Sequence, residues 1–563
     1  MKYKSYLSYI LIAASILLFS CKEKSNSSSQ GVSDNKLDLK RGSLISCGPA
    51  SNEFGTVSFS SFCNAPTQDD FNLGIAMLHS FEYDEAEKSF ARVLDADSTC
   101  AMAYWGIAMS NFHQVWPSPP TTEELVKGSR AVEIARSMTK GSDIMKDYIK
   151  TIGAFYEDYA NHTQRERILN YAKAMEEMYK KYPNDKEVSI FYALSLVSAA
   201  DPSDKNYTNQ KKAGNILNSL YPGQSMHPGI VHYIIHSYDS PELASMALDA
   251  ARKYASIAPA SAHAQHMPSH IFTRLGLWNE SISSNTNAAS SAKCYAENTG
   301  IKGHWDEELH AIDYLIYAYL QKGDNVHAKE QLDYLMAFTE VQPVNFKVLY
   351  AFAASPSRYY LENKLWDEAA SIKFQPGFSW EKYPWQKSII YFTQSLGAAH
   401  TGKIELAKAA LKNMQPCYDS LKMQKDEYKS NQVAIQMKIA EAWTLFAEGK
   451  KQQGLQQMKT AATMEDQTEK SPVTPGEVLP ARQLLADMLM EMNMPSEALM
   501  EYEADLKKHP NRFNSIVGAA TASEKLNNLA KSKQYYEQLL TVAPTSTREE
   551  VVVAKAYLGK ARM

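Results

Sequence analysis

The chain has no surplus of positive charge and no hydrophobic run long enough to cross a bilayer. Lys and Arg number 59 against 63 Asp and Glu, a formal net charge of −4. Without a basic surplus the protein has little with which to neutralise phosphate backbones, so no nucleic acid partner is expected. Apolar residues make up 44% and charged residues 22% of the 563 residues, as in globular proteins. This composition excludes wholesale disorder and a multi-span membrane protein.

The common catalytic spacings are also missing. The sequence contains no HExxH, no GxxxxGK[S/T], no GxSxG and no GxGxxG. Their absence argues against the common hydrolases and nucleotide enzymes, because each of these spacings positions a defined piece of chemistry. A metal enzyme whose ligands have a different spacing is not excluded.

Cysteine is scarce, and no CxxC pair occurs among the six cysteines. If Cys21 is lipidated, as argued next, five remain, and an odd number cannot all pair within one chain. Cys47 and Cys63 are the closest in sequence, and an oxidising compartment would permit a disulfide between them.

The N-terminus has the pattern of an export signal. Lys2 and Lys4 precede an apolar run over 7–19, which is too short to span a bilayer but typical of a signal peptide. The run ends in Leu18-Phe19-Ser20-Cys21, which resembles a bacterial lipobox apart from the bulky Phe19. The polar stretch 22–31 suits a flexible tether. We therefore expect a lipid on Cys21 as the membrane contact, with a short signal and an incidental Cys as the alternative.

The rest of the chain repeats with a period near 34 residues, which is typical of tetratricopeptide repeats. Gly74, Ala86 and Phe90 match the small and aromatic positions of one repeat, and Ala498 and Pro510 match another. Strand signals are nearly absent, apart from 55–59. The predicted fold is an all-α, tetratricopeptide-repeat-like helical solenoid.

The predicted organisation has five segments. They are a signal peptide at 1–20, a lipidated tether with a short N-terminal segment at 21–66, repeats carrying a histidine cluster at 67–340, further helical repeats at 341–470, and C-terminal repeats at 471–563. Pro-rich interruptions at 117–120 and 472–480 are expected to be loops.

Six of the fourteen histidines fall between positions 227 and 270, where about one is expected. His232 and His236 share a helical face, as do His263, His266 and His270. His266 and His270 each follow their counterpart by 34 residues, one repeat. In a solenoid the first helix of each repeat lines the concave surface, so both sets are expected on one surface.

The next first helix is expected to add His310 and Asp313, which take the same repeat positions. We predict one site from His232, His236, His266, His270, His310 and Asp313. Weaker candidates for ligand binding are His263, His304, Arg274, Tyr233 and Asp239.

Imidazoles with one carboxylate suit a divalent Zn, Fe, Cu or Mn ion. A metal-free polar pocket and a purely structural role are the alternatives. Pro268 should break the helix between His266 and His270, since it would clash with the carbonyl of Ala264. Neutral imidazole binds metal, so affinity is expected to fall as pH drops through about 6.5.

The stretches HPGIVHYIIHSYD at 227–239 and HAQHMPSHIFTRLG at 263–276 resemble a family of bacterial tetratricopeptide-repeat lipoproteins. The likeness extends to 78–81, 103–106 and 510–513. It implies the repeat fold and the importance of the histidine region, and it names no reaction.

Two functional hypotheses follow. The first is a lipid-anchored envelope protein that binds a protein, peptide or small molecule in a concave groove with a histidine-rich pocket. Lys22, rather than Asp, beside the lipid resembles lipoproteins passed on to the outer membrane, which is therefore the expected location. The second is a metal-dependent hydrolase or oxidoreductase that uses this pocket.

Overall fold

The computed structural model describes residues 37–48, 53–63, 65–113, 119–138, 141–468 and 473–560. The predicted signal peptide, Cys21 and the first part of the tether lie outside these residues. Leu39–Met563 form one compact unit. The predicted boundaries at 340 and 470 therefore fall within this unit.

The unit is built from helices throughout. In chain order they are α1 Gln68–His79, α2 Tyr83–Ala96, α3 Ala101–Ser110, α4 Thr122–Ser137, α5 Asp143–Tyr156, α6 Gln164–Lys181, α7 Lys186–Ser198, α8 Thr208–Leu220, α9 Pro228–Tyr238, α10 Leu248–Ile257, α11 Ala262–His266, α12 Pro268–Arg274, α13 Trp278–Thr299, α14 Asp306–Gln321, α15 Asn325–Met336, α16 Phe346–Glu362, α17 Trp366–Ser371, α18 Pro384–His400, α19 Ile404–Met423, α20 Glu427–Ala447, α21 Lys451–Asp466, α22 Ala481–Glu491, α23 Pro495–Lys508, α24 Phe513–Lys525, α25 Leu529–Val542 and α26 Glu549–Lys560. Two short strands, β1 His304–Trp305 and β2 Val341–Gln342, pair in parallel.

Each helix packs on the next, and many also contact the next but one, as α1 does with α3, α16 with α18 and α22 with α24. This nearest-neighbour packing is that of a helical solenoid. Small residues at the helix contacts permit it, among them the predicted Gly74. A Cβ on Gly74 would lie 2.8 Å from the ring of Phe90, and one on Gly518 would lie 2.2 Å from the ring of Tyr502. The all-α solenoid prediction is confirmed.

The segment before α1 is an extended strap (residues 37–48 and 53–63) that packs on several repeats. The amide of Ile45 donates to the Glu85 carboxylate of α2 at 2.9 Å. The amide of Thr56 donates to the carbonyl of Met226, just before α9, at 2.9 Å. The run at 55–59 is extended without pairing to any strand of the described residues. The strap therefore ties α2 to the start of α9.

The strap carries two disulfides, one near its middle and one at its end, and their partners differ from the prediction. Cys47 pairs with Cys294 of α13, and Cys63 pairs with Cys100 at the start of α3. Cys417 is a free, buried thiol. The expected Cys47–Cys63 bond is wrong, because an extended strap carries its two cysteines to different repeats.

The C-terminal repeats pack back onto the middle of the solenoid. The indole Nε1 of Trp278 in α13 donates to the carbonyl of Asn511 at 2.9 Å, and the Ser546 hydroxyl donates to the carbonyl of Gly323 at 2.7 Å. Gly276 has φ +65°, and a Cβ there would lie 2.2 Å from the carbonyl oxygen of Pro510. The turns that follow α12 and α14 are thus covered by the protein's own chain.

Among the residues that the structure describes, none of the helices combines the length and apolar character needed to cross a bilayer.

Candidate metal centre

The histidine cluster lies on α9, α11, α12 and α14. Pro228 occupies the first turn of α9, where its missing N–H is not needed. The Ser261 hydroxyl caps α11 by accepting from the amide of Ala264 at 3.0 Å. Pro268 begins α12 directly after Met267, so the predicted break between His266 and His270 is confirmed.

The break leaves His266 and His270 side by side, and His310 of α14 completes the first cluster, the His266 group. Their ligand atoms lie within 4.8 Å of one another. The Nε2 atoms of His266 and His270 are 3.0 Å apart. The ring centroids of His266 and His310 are 4.3 Å apart. The ring of Tyr314 stacks on His270, with centroids 5.3 Å apart.

Hydrogen bonds fix which nitrogen of His266 and His270 carries the proton. His266 Nδ1 faces Asn285 Oδ1 at 2.7 Å, and the Asn285 amide nitrogen donates to the carbonyl of Ser281, which places the Asn285 oxygen at the imidazole. His270 Nδ1 faces Asp239 Oδ2 at 3.0 Å. Each Nδ1 therefore donates, and in the neutral rings both Nε2 atoms present lone pairs to each other.

A second cluster, the His232 group, consists of His232, His236 and His263, again within 4.8 Å of one another. His232 Nε2 is 3.0 Å from His236 Nε2 and 3.1 Å from His263 Nε2. His232 Nδ1 donates to the carbonyl of His79 at 2.6 Å, so its Nε2 is a lone pair. Each group thus combines two histidines one turn apart with one histidine from the next first helix.

The three imidazoles of the His266 group are buried, whereas His263 of the His232 group is half-buried. Burial lowers the pKa of His236 to about 3, and the nearby His270 lowers it further. Burial and neighbouring imidazoles also hold the pKa of His232, His263, His266 and His310 well below the usual value. Protons should therefore compete with a metal only at a pH below the expected 6.5.

Arg274 and Asp239, both weaker candidates, form a buried ion pair beside the His266 group. Arg274 Nε donates to Asp239 Oδ1 at 2.9 Å, and the other Asp239 oxygen accepts from His270. The side chains of Asp239 and Arg274 are only 5% and 7% exposed. Asp239 therefore orients His270 while Arg274 holds its other oxygen.

Other predicted residues lie elsewhere. Asp313 accepts from Arg358 Nη1 at 2.6 Å and from the Ser355 hydroxyl at 2.9 Å, so its carboxylate is paired with α16 and is not a member of either histidine group. His304 bonds Glu308 at 2.8 Å. Tyr233 lies beside His79, with its hydroxyl 2.9 Å from Nδ1.

A third cluster joins His79, Glu187 and His227, of which only His227 falls in the histidine-rich stretch 227–270. Glu187 accepts from His79 Nε2 at 3.0 Å and from His227 Nε2 at 2.9 Å. Burial raises the pKa of Glu187, but the two imidazoles outweigh it and lower the pKa to about 2. These bonds use both carboxylate oxygens, so the cluster is explained as a hydrogen-bonded link between α1, α7 and α9. His79 lies in the segment 78–81, whose likeness to the lipoprotein family was the one sequence feature that pointed to it.

The spacing in the two histidine groups matches what a transition metal requires. Two nitrogens bound at 2.0–2.1 Å to a tetrahedral ion are about 3.3 Å apart. The three short Nε2 distances, 3.0 to 3.1 Å, lie close to this value. Among the described residues each group has three members. Three imidazoles leave a tetrahedral ion one further position.

The fold and the site together define an α-helical repeat protein with buried three-histidine groups. No family model and no curated protein sequence matches the chain. Among solved structures, it is similar to the crystal structure of the APC/C hetero-tetramer Cut9-Hcn1, at 12% identity over 88% of this chain and 90% of that chain, with a TM-score of 0.31. It is also similar to the structure of Naa15/Naa10 bound to HypK-THB, at 13% identity over 85% and 70%, with a TM-score of 0.22. Likeness at this level carries no argument about function.

Proposed function

We propose that this chain is a helical-repeat protein of the cell envelope that binds a divalent transition metal at the His266 group. The observation that carries the proposal is the facing pair of Nε2 lone pairs on His266 and His270, 3.0 Å apart. With each Nδ1 committed to Asn285 or Asp239, a hydrogen bond between the two Nε2 atoms would require a second proton on one ring. Burial lowers the pKa of His266, which opposes a second proton on that ring. A metal ion bound to both Nε2 atoms would remove the repulsion between their lone pairs.

The donor set narrows the choice of metal. Imidazole nitrogens suit Zn, Cu and Fe, whereas Mn prefers carboxylate oxygen and water. Asp239 and Asn285 supply the outer hydrogen bonds that metal-binding histidines usually make. We therefore expect Zn, Cu or Fe ahead of Mn.

A metal-dependent enzyme is the second candidate function. The observation that favours it is that each group has three ligands among the described residues. Structural zinc sites usually have four protein ligands, whereas catalytic sites keep one position for water or substrate.

The envelope location and the lipid at Cys21 belong to the same proposal. Two disulfides in the chain support an oxidising compartment outside the cytosol. Cys21→Ala should move the protein from the membrane fraction to the soluble envelope fraction, because the lipid would be its anchor. Unchanged membrane association of the variant would refute the anchor. Two further points stay predictions. They are the location at the outer membrane and the binding of a protein, peptide or small molecule in a concave groove.

The metal proposal is tested on the full chain purified without a His tag. We expect bound metal in elemental analysis, a thermal midpoint that falls when a chelator removes it, and weaker binding in His270→Ala. His400→Ala is the matched control, since His400 is a half-buried histidine that lies between the rings of Trp366 and Trp443, outside both groups. Absence of metal, no uptake on titration and equal behaviour of the two variants would refute the proposal.

A further inference from the structure

The two histidine groups share a construction. Each takes two histidines four residues apart, on α9 in one group and on either side of the Pro268 break in the other, and a third from the next first helix. Each has three imidazole members and no carboxylate among the described residues. In both, at least one Nδ1 is held by an acceptor on the protein, so that Nε2 faces the other members. If one group binds a metal ion through its three imidazoles, the other group has the same donors for a second ion.

The groups are also joined at two points. The short helix α11 carries His263 of one group and His266 of the other, three residues apart, and such neighbours have Cβ atoms about 5–6 Å apart. Directly after α9, Asp239 follows His236 by three residues and accepts from His270 of the other group at 3.0 Å. A member of one group thus lies within one helical turn of a member of the other.

We propose that the two groups form one binuclear transition-metal centre, with one ion held by His232, His236 and His263 and the other by His266, His270 and His310. This inference rests on the proposed function, because it takes metal binding at the His266 group as given. It adds a second ion and places the two ions near enough to interact.

The charge of such a centre indicates its ligand. All six protein donors are neutral imidazoles, and Asp239, the carboxylate bonded to His270, is already paired with Arg274 at 2.9 Å. Two divalent ions would then bring four positive charges into a buried site, which is costly without compensation. Each ion also has a free position. The centre should therefore take a small anion, such as hydroxide or azide, at the free positions.

The test titrates metal-free chain with Cu²⁺ and follows binding by calorimetry and electron paramagnetic resonance. We expect two ions per chain, and one each for His232→Ala and His270→Ala. His400→Ala should still bind two. The spectrum of the two-ion protein should be broadened or lose intensity relative to the one-ion variants, since the two spins interact. Azide should change the two-ion spectrum more than either one-ion spectrum.

The outcomes separate this inference from the proposed function. One ion per chain, or two ions whose spectrum equals the sum of those of the single variants, would overturn the binuclear centre and leave metal binding intact. No bound ion would overturn both. Circular dichroism checks that each variant is folded, and His232→Gln and His270→Gln replace any alanine variant that is not.

Discussion

Replacing Asp239 by Asn should weaken metal binding without removing any proposed ligand. Asp239 Oδ1 accepts from Arg274 Nε at 2.9 Å, and Oδ2 accepts from His270 Nδ1 at 3.0 Å. In the variant the single amide oxygen must face Arg274, because Arg274 can only donate. The amide NH₂ then faces His270, which must accept at Nδ1 and carry its proton on Nε2. That proton occupies the position at which a metal would bind.

The expected size of the effect follows from the role of Asp239 as an outer partner of a ligand. Loss of such a partner costs about 10- to 100-fold in metal affinity, or about 1.4 to 2.7 kcal/mol. The metal-free protein should also lose about 1–3 kcal/mol of unfolding free energy, because the buried Arg274 no longer bonds a charged partner. Competition against a chelator of known affinity measures the first quantity, and urea denaturation measures the second.

The matched control is Asp324→Asn. Asp324 also pairs with a histidine, His327, at 2.7 Å, but this His side chain is 56% exposed and belongs to neither group. We expect metal affinity unchanged in this variant. Equal affinities for Asp239→Asn, Asp324→Asn and the parent would refute the reasoning about the proton on His270.

Three further predictions concern stability. Cys47→Ser removes a disulfide that spans 247 residues of sequence and should cost about 2–5 kcal/mol in urea denaturation, whereas Cys417→Ser should cost less; equal losses would contradict the role of the strap. Ala498→Leu places extra volume at a fully buried interhelical position and should cost about 1–3 kcal/mol, and no loss would mean that the repeat register is wrong there. Burial lowers the pKa of His509, but Glu477 outweighs it and raises that pKa to about 9. Since the folded pKa exceeds the unfolded 6.5, this stabilisation is complete below pH 6.5 and is lost as pH rises through about 9; His509→Gln should flatten the profile, and identical profiles would contradict it.

The repeat architecture could be predicted because its determinants are local in sequence. Gly74 and Phe90 lie within one repeat, and their spacing alone indicates that two helices approach closely. The helix break at Pro268 follows equally from one residue, since proline removes a backbone donor and crowds the preceding turn. The histidine pairs on α9 and α11–α12 share their faces as the spacing predicts.

The remaining features depend on contacts between distant repeats, which spacing does not encode. Asp313 is paired with Arg358, a residue 45 positions away on α16, so its carboxylate is removed from the histidine groups. The division of the histidines into two groups depends on where α9, α11 and α14 cross. The disulfide partners depend on the path of the strap, and this path could not be predicted because the sequence of the strap has no regular repeat.

The central claim, that the His266 group binds a metal, is tested most directly by anomalous diffraction from crystals grown with Zn²⁺ and measured on both sides of the zinc edge. The account predicts an anomalous peak at 2.0–2.1 Å from Nε2 of His266 and His270, with His310 as the third ligand. If crystals grown with saturating Zn²⁺ show no peak there, and the Nε2 atoms of His266 and His270 are still 3.0 Å apart, the claim is contradicted.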